Sequence, residues 1–114
     1  MNGIILSRIR ESCRELMQDS DISGKYQEKA AAAVIGGGIL NSYVGGDALF
    51  YTDVLISALT PFKLTDFDTI AERILNLKIE NVSNCFMVEG PHMCDNTAST
   101  AKYEMTLRFI YYKD

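Results

Sequence analysis

The fold is decided by the stretch YEMTLRFIYY, residues 103–112. Its odd-numbered positions, from Tyr103 to Tyr111, are all large apolar or aromatic residues, and they alternate with a more polar set that begins at Glu104. A period of two is typical of a β-strand that buries one of its faces. This stretch therefore predicts a strand at the edge of a core, with Ile110 and Tyr112 on the opposite face.

The segment before it predicts a neighbouring strand. Residues 82–89 are rich in apolar residues, and we expect Gly90-Pro91 to end the strand. The polar stretch from Asp95 to Ala101 then predicts a turn within a connection of about ten residues. Because consecutive strands joined by a loop pair most simply in opposite directions, the two form an antiparallel pair.

Two amphipathic helices are also predicted. Residues 3–18 carry apolar side chains at intervals of three and four, with Asn2 placed to cap the start and a polar run at 18–21 to end the helix. A second helix is expected from Thr65 to about Lys78. Its start matches the Ser/Thr-x-x-acid capping pattern, since Asp68 follows Thr65 by three residues.

Glycines divide the region between the helices. Residues 30–35 predict a short strand that runs into a turn at Gly36, Gly37 and Gly38. A second tight turn is expected at Gly45, Gly46 and Asp47, and residues 39–44 between the turns form a short strand or an ordered loop. Residues 48–60 are mainly aromatic, β-branched or apolar and predict a long strand, which Pro61 stops.

This order of elements predicts a single α+β domain over residues 1–114. We expect an antiparallel or mixed sheet of four to five strands with two helices packed on one of its faces. The length suits one hydrophobic core and excludes a two-domain enzyme. The longest uninterrupted apolar run, residues 30–35, is far shorter than the roughly 20 residues of a membrane span. The N-terminus does not resemble a signal peptide, so the expected site of synthesis is the cytosol.

Charge and cysteine content narrow the function classes. The formal net charge is −4 and the basic residues form no cluster, which disfavours sequence-independent binding to nucleic-acid backbones. Cys13, Cys85 and Cys94 are odd in number and lack Cys-x-x-Cys spacing, so they indicate neither a disulfide framework nor a zinc site. Buried, reduced thiols are the preferred interpretation.

Two motifs invite a chemical interpretation. The glycine triplet lacks the lysine and the following helix of a phosphate-binding loop, so a turn is favoured over nucleotide binding. His92 lies next to Cys94 and Asp95, and such residues can hold a metal or activate a thiol. One His-x-Cys supplies too few ligands, so a solvated loop histidine is favoured, and no catalytic residue, metal or cofactor is predicted.

The strand face that carries Ile110 and Tyr112 is a candidate protein interface, because exposed apolar and aromatic patches often mark such surfaces. A loop or the first strand covering that face is an equally good interpretation of the sequence.

Three parts of the chain together carry a family resemblance. They are the helix Ile4 to Met17; the block 31–38 with Gly45-Gly46 and the strand Val54 to Ala58; and the ending with Gly90-Pro91, Asp95-Asn96 and residues 103–109. With these, the chain resembles the small phage tail-terminator and minor-capsid proteins that sit where head and tail join.

The resemblance implies a non-enzymatic virion component at the head–tail junction, assembled in the host cytoplasm. It implies a ring, in many relatives a hexamer, that caps the tail tube and contacts the head connector or stopper. An acidic protein would suit a ring through which DNA slides. The expected assembly contacts are the glycine segments 36–38 and 45–47, the loop 90–100 with His92 and Asp95, and the face of Ile110 and Tyr112.

Two other functions fit the same sequence features. The first is a neighbouring neck protein of the head–tail connector, and the second is a small cytosolic adaptor that binds one protein partner through its last strand. A small enzyme that uses Cys94 with His92 is the least favoured.

Overall fold

The computed structural model describes residues 1–20, 26–28, 30–41, 48–59, 64–96 and 101–112. Helix α1 spans Asn2–Ser12, and after a break at Cys13 the chain adds one helical turn, α2, at Arg14–Met17. Helix α3 spans Leu64–Leu75. The strands are β1 (Gln18–Ser20), β2 (Tyr26–Glu28), β3 (Ala30–Asn41), β4 (Leu49–Leu59), β5 (Val82–Asn96) and β6 (Ala101–Tyr112).

The fold is α+β, with an open antiparallel sheet in the order β3-β4-β6-β5. β1 and β2 form a separate two-stranded antiparallel ribbon. The predicted fold class is therefore confirmed, with four strands in the main sheet and every pairing antiparallel. None of the helices in the described part of the chain is long and apolar enough to cross a membrane.

The core lies between the helices and one face of the sheet, which we call the covered face. Alternate residues of the central strands point to it, including Val54 on β4 and its register partner Leu107 on β6. Ile5 and Ile9 of α1 and Phe67 of α3 pack against this face and are fully buried. The apolar residues that repeat every two positions in the strands and every three or four in the helices thus pack together in one core.

Long-range hydrogen bonds hold the two helices together. Arg73 of α3 donates from Nη1 to the carbonyl oxygen of Ser12 at 3.2 Å, and Arg8 of α1 donates from Nη2 to that of Lys78 at 3.3 Å. Both acceptors lie at or just beyond the end of a helix, where backbone carbonyls lack an intrahelical partner. The basic residues on the helix surfaces therefore tie each helix to the segment that follows the other.

Asn2 does not cap α1, so that prediction was wrong. The N-cap is Met1, which makes no side-chain cap, and the Oδ1 of Asn2 instead accepts a 2.7 Å hydrogen bond from the buried hydroxyl of Thr52. The Tyr111 hydroxyl lies 3.3 Å from the same Thr52 oxygen. A buried hydroxyl without a partner is costly, so Asn2 satisfies Thr52 rather than its own helix.

The second helix begins and ends earlier than predicted. It starts at Leu64, which places Thr65 in the first turn and not at the cap, and it ends at Leu75 rather than near Lys78. The Asn76 side chain donates to the Glu72 carbonyl oxygen at 2.8 Å, satisfying a carbonyl of the last turn.

The predicted turn at Gly36–Gly38 is wrong, because β3 runs straight through the glycines. The strand continues to Asn41 and pairs with β4 along its length, with a bulge between Val34 and Gly36. The expected long strand at 48–60 is confirmed as Leu49–Leu59. Pro61, which was expected to stop it, lies outside the described residues.

Gly90-Pro91 does not end the preceding strand, as had been predicted. β5 continues to Asn96, and a register shift between Glu89 and His92 accommodates the pair. β5 lies at an edge of the sheet, where a proline loses no ladder hydrogen bond to a strand on its outer side. β5 ends at Asn96 and β6 begins at Ala101, so the two strands lie closer along the chain than the predicted loop of about ten residues allows.

Candidate functional site

The side of the sheet away from the helices is the candidate site, and we call it the open face. It is formed by the residues of β4 and β6 that alternate with the core positions. Their register pairs are Tyr51 with Ile110, Asp53 with Arg108, Leu55 with Thr106, and Ser57 with Glu104. The predicted division of β6 into two faces is confirmed, because Ile110 and Tyr112 point away from the core residues Leu107 and Phe109.

Large apolar side chains are exposed on and beside the open face. Phe86 on β5 lies opposite Arg108 and is 39% exposed, and Tyr112 at the end of β6 is 44% exposed. Val88 on β5 and Ile35 on β3 are exposed as well. Both described long helices pack on the covered face, so neither of them covers Ile110 or Tyr112. Tyr112 is exposed and Ile110 is half-buried.

The centre of the open face holds an ion pair. Arg108 donates from Nε to Asp53 Oδ1 at 2.8 Å and from Nη2 to Oδ2 at 3.0 Å. Its guanidinium carbon lies 4.4 Å from the centre of the Tyr51 ring. These hydrogen bonds and the negative charge of Asp53 raise the pKa of Arg108 above its usual range, so the guanidinium stays charged.

This ion pair leaves no charge for a small ligand to bind. Both carboxylate oxygens of Asp53 accept from Arg108, and the guanidinium face lies over an aromatic ring. A bidentate pair fixes side-chain geometry more strongly than it attracts a further ion. The open face is thus a surface of mixed polar and apolar side chains, with exposed aromatic residues and an internally neutralised centre, which suits contact with another protein.

The glycine triplet borders the open face. Gly36 is the register partner of Asp53, and Gly38 that of Tyr51, so two of the glycines lie in line with Arg108 and Ile110 across the sheet. Four of the predicted contact residues, Gly36, Gly38, Ile110 and Tyr112, are therefore brought to one end of one face.

The three glycines differ in what surrounds them. A Cβ at Gly37 would lie 2.8 Å from the Tyr51 carbonyl oxygen, and one at Gly38 would lie 3.3 Å from the Tyr51 ring. A Cβ at Gly36 would meet nothing within 4 Å. The lack of a side chain is thus required by packing at Gly37, while at Gly36 the surrounding residues leave room for one.

The predicted residues in the 90–100 segment lie elsewhere. His92 pairs in register with Glu104 and Asp95 with Lys102, six or more residues along β6 from Ile110, or about 20 Å at the rise of a strand. The exposed His92 ring has Nδ1 3.2 Å from the Gly90 carbonyl oxygen. The side chain of Asp95, and the residues Gly45, Gly46 and Asp47, lie outside the described residues.

The two cysteines whose side chains are described, Cys13 and Cys85, lack the properties of reactive thiols. Cys13 is fully buried, and burial raises the pKa of the Cys85 thiol to about 12. A thiol with such a pKa is protonated and unreactive at neutral pH. The side chain of Cys94 lies outside the described residues, and among those described no group of three or more His, Cys, Asp or Glu residues could hold a metal ion.

Sequence reasoning missed the Asp53–Arg108 pair and the exposure of Phe86. A signal for the pair was present, because each charge interrupts an otherwise apolar or aromatic strand on the same alternating face. Without the register between β4 and β6, however, nothing in the sequence places the two charges opposite each other.

Comparisons with known protein families and curated sequences add no family assignment to these structural observations. Neither a protein-family model nor a curated protein sequence matches the chain.

Proposed function

We propose that this protein is a non-enzymatic structural component of a tailed phage or prophage, a tail terminator. In this proposal copies form a hexameric ring that caps the tail tube and joins it to the head connector at the head–tail junction. DNA passes through the ring without sequence-specific binding. The observation that carries the proposal is the open face, where Phe86 and Tyr112 expose large aromatic side chains on the side of the sheet away from the helices.

A ring needs two different patches on each subunit, one of which meets the other on the next copy. The open face offers the first, with Phe86 and Tyr112 exposed beside a neutralised ion pair. The opposite surface of the helices offers the second, because Ile4 on α1 and Leu75 on α3 are exposed apolar residues there. A sheet face packed against the helices of the next copy would bury both.

The formal net charge of −4 fits this role. An acidic ring repels the phosphate backbone and lets DNA slide. The resemblance to tail-terminator and minor-capsid proteins supports the same assignment. A neighbouring neck protein of the connector would use the same surfaces, and a cytosolic adaptor would use the open face alone.

Charge placed on the open face tests the proposal. Phe86→Lys should abolish rings seen by negative-stain electron microscopy and reduce the mass in solution to that of a monomer, while circular dichroism shows an unchanged fold. Tyr112→Lys should act in the same direction, because Tyr112 is also exposed on that face.

Glu80→Lys is the control, because Glu80 is exposed and lies in the segment between α3 and β5, outside both surfaces. Rings that persist in Phe86→Lys would contradict a role for the open face. Wild-type protein that stays monomeric, and fails to bind purified tail tubes, would favour the adaptor instead.

A further inference from the structure

The two edges of the main sheet differ in how they are protected. β5 carries Glu89 and Pro91, and its pairing with β6 shifts register four times. Charges, prolines and bulges are the usual devices that stop an edge strand from pairing with another chain. β3, at the other edge, is twelve residues long and has neither a charged residue nor a proline, and its pairing with β4 shifts register only twice, beside Ile35 and Leu40.

Part of β3 is already occupied by its own chain. Arg10 of α1 donates from Nη2 to the Ala32 carbonyl oxygen at 3.3 Å, and Ala30 and Ala32 are buried in the core. From Ile35 onward the strand is exposed, with Ile35 at 56% and Ile39 at 64%. In the described part of the chain, the exposed and uncharged part of the edge is therefore the segment from Ile35 to Leu40, which contains all three glycines between its two bulges.

The fold does not explain why Gly36 lacks a side chain. None of the three glycines adopts a backbone conformation that disfavours other residues, and Gly36 has open space where a Cβ would lie. A glycine within a strand often marks a place where another backbone approaches closely.

We propose that the Ile35–Leu40 edge of β3 pairs with the same edge of a second copy. The sequence Ile-Gly-Gly-Gly-Ile, residues 35–39, reads the same in both directions. A two-fold antiparallel pair centred on Gly37 therefore places Gly36 opposite Gly38 of the second copy and Ile35 opposite Ile39. The absence of charge along β3 means that no like charges meet across the two-fold axis.

This contact is separate from the ring. A two-fold contact joins the same patch on both copies and cannot by itself close a ring of six. It pairs two subunits, or two rings edge to edge. The pairing does not depend on the proposed function, and it has its own measurable signature, which is protection of β3 amides.

The test compares Gly36→Lys with Gly3→Lys, by light scattering and by amide hydrogen exchange over a concentration series. Both glycines have open space at the Cβ position, so both variants are expected to keep the monomer fold. Wild-type protein and Gly3→Lys should form a species of twice the mass found for Gly36→Lys. The dissociation constant of the pair should rise about tenfold or more in Gly36→Lys, because the two lysines then lie diagonally across the pair on one face, about 7–8 Å apart, and their like charges repel.

Amides of residues 35–40 should exchange more slowly as the wild-type concentration rises, and those of residues 82–88 on β5 should not change. Three results would each overturn the proposal: no concentration-dependent protection of β3, protection of β5 together with β3, or a Gly36→Lys variant that pairs as tightly as the wild type. A ring that fails to form leaves this readout intact, because a dimer shows the same protection.

Discussion

The two faces of the sheet use the same strands for opposite purposes. On the covered face, Val54, Leu107 and Phe109 are almost completely buried beneath the helices. The open face is formed by the residues that alternate with these along the strands. It carries an ion pair and exposed aromatic side chains. The difference shows that alternation in a strand can specify a core on one side and a partly exposed surface of polar and aromatic side chains on the other.

The difference between the two faces predicts the largest loss of stability for a substitution of Phe67. This residue is fully buried, and its ring lies 6.3 Å from that of Tyr103. Phe67→Ala should lower the free energy of unfolding by about 3 to 5 kcal/mol, because a large cavity opens in the core. The matched change on the open face, Phe86→Ala, should cost about 1 kcal/mol or less. Urea denaturation measures both, and equal losses would mean that the open face is not open in solution.

A smaller effect distinguishes two adjacent glycines. Gly37 is in register with the buried Thr52, and its added Cβ would lie 2.8 Å from a backbone oxygen. Gly37→Ala should therefore destabilise the protein by about 1 to 3 kcal/mol. Gly36→Ala should change stability by about 0.5 kcal/mol at most, since its Cβ meets nothing. Thermal denaturation of the two variants checks this, and a reversed order would contradict the register of β3 on β4.

A still smaller loss of stability is expected from breaking the ion pair. Asp53→Ala removes both acceptors of Arg108 and leaves the guanidinium over Tyr51 alone. A partly exposed pair is screened by solvent, so this loss should be less than that of Gly37→Ala and should shrink at high salt. A double-mutant cycle with Arg108→Ala isolates the interaction, and additive single effects would show that the pair contributes nothing.

The reactivity of the Cys85 thiol can be tested in the protein without any substitution. Because the pKa of Cys85 is about 12 rather than the ordinary 9.0, its thiolate fraction at pH 8 should be about a thousandfold lower than that of a free thiol. Native protein should therefore react slowly with iodoacetamide at Cys85, and peptide mapping identifies the modified site. The folded state holds its proton to higher pH than the unfolded state, so this group makes stability fall as pH rises above about 9.

The same experiment tests the enzyme alternative at Cys94. Rapid modification of Cys94 below pH 8, with Cys85 untouched, would indicate an activated thiolate and argue against a purely structural role. Slow reaction at both sites would agree with the proposed function.

The sequence was enough for the fold class and for the faces of β6. The alternation of residues 103–112 and the spacing in the helices are local signals, and local signals specify which side of an element is buried. The ends of the strands were harder to predict, because glycine or proline ends a strand only where the neighbouring strand does not continue to pair with it. β3 continues through Gly36–Gly38 because β4 pairs with it there, and β5 passes Pro91 because its outer side is an edge.

The candidate site depended even more on tertiary structure. Gly36, Gly38 and Ile110 were each singled out, but only the β3-β4-β6 order brings them together. Asp53 and Arg108 are 55 residues apart in the chain. Their pairing follows from strand register, which a single sequence does not encode locally.

The most direct test of the proposed role is the mass in solution, measured by light scattering over a concentration series with and without millimolar magnesium. The account predicts a species of six subunits of 12.7 kDa each, or of twelve where two rings pair through β3. A mass of 12.7 kDa at every concentration and in both buffers would contradict a self-assembling ring.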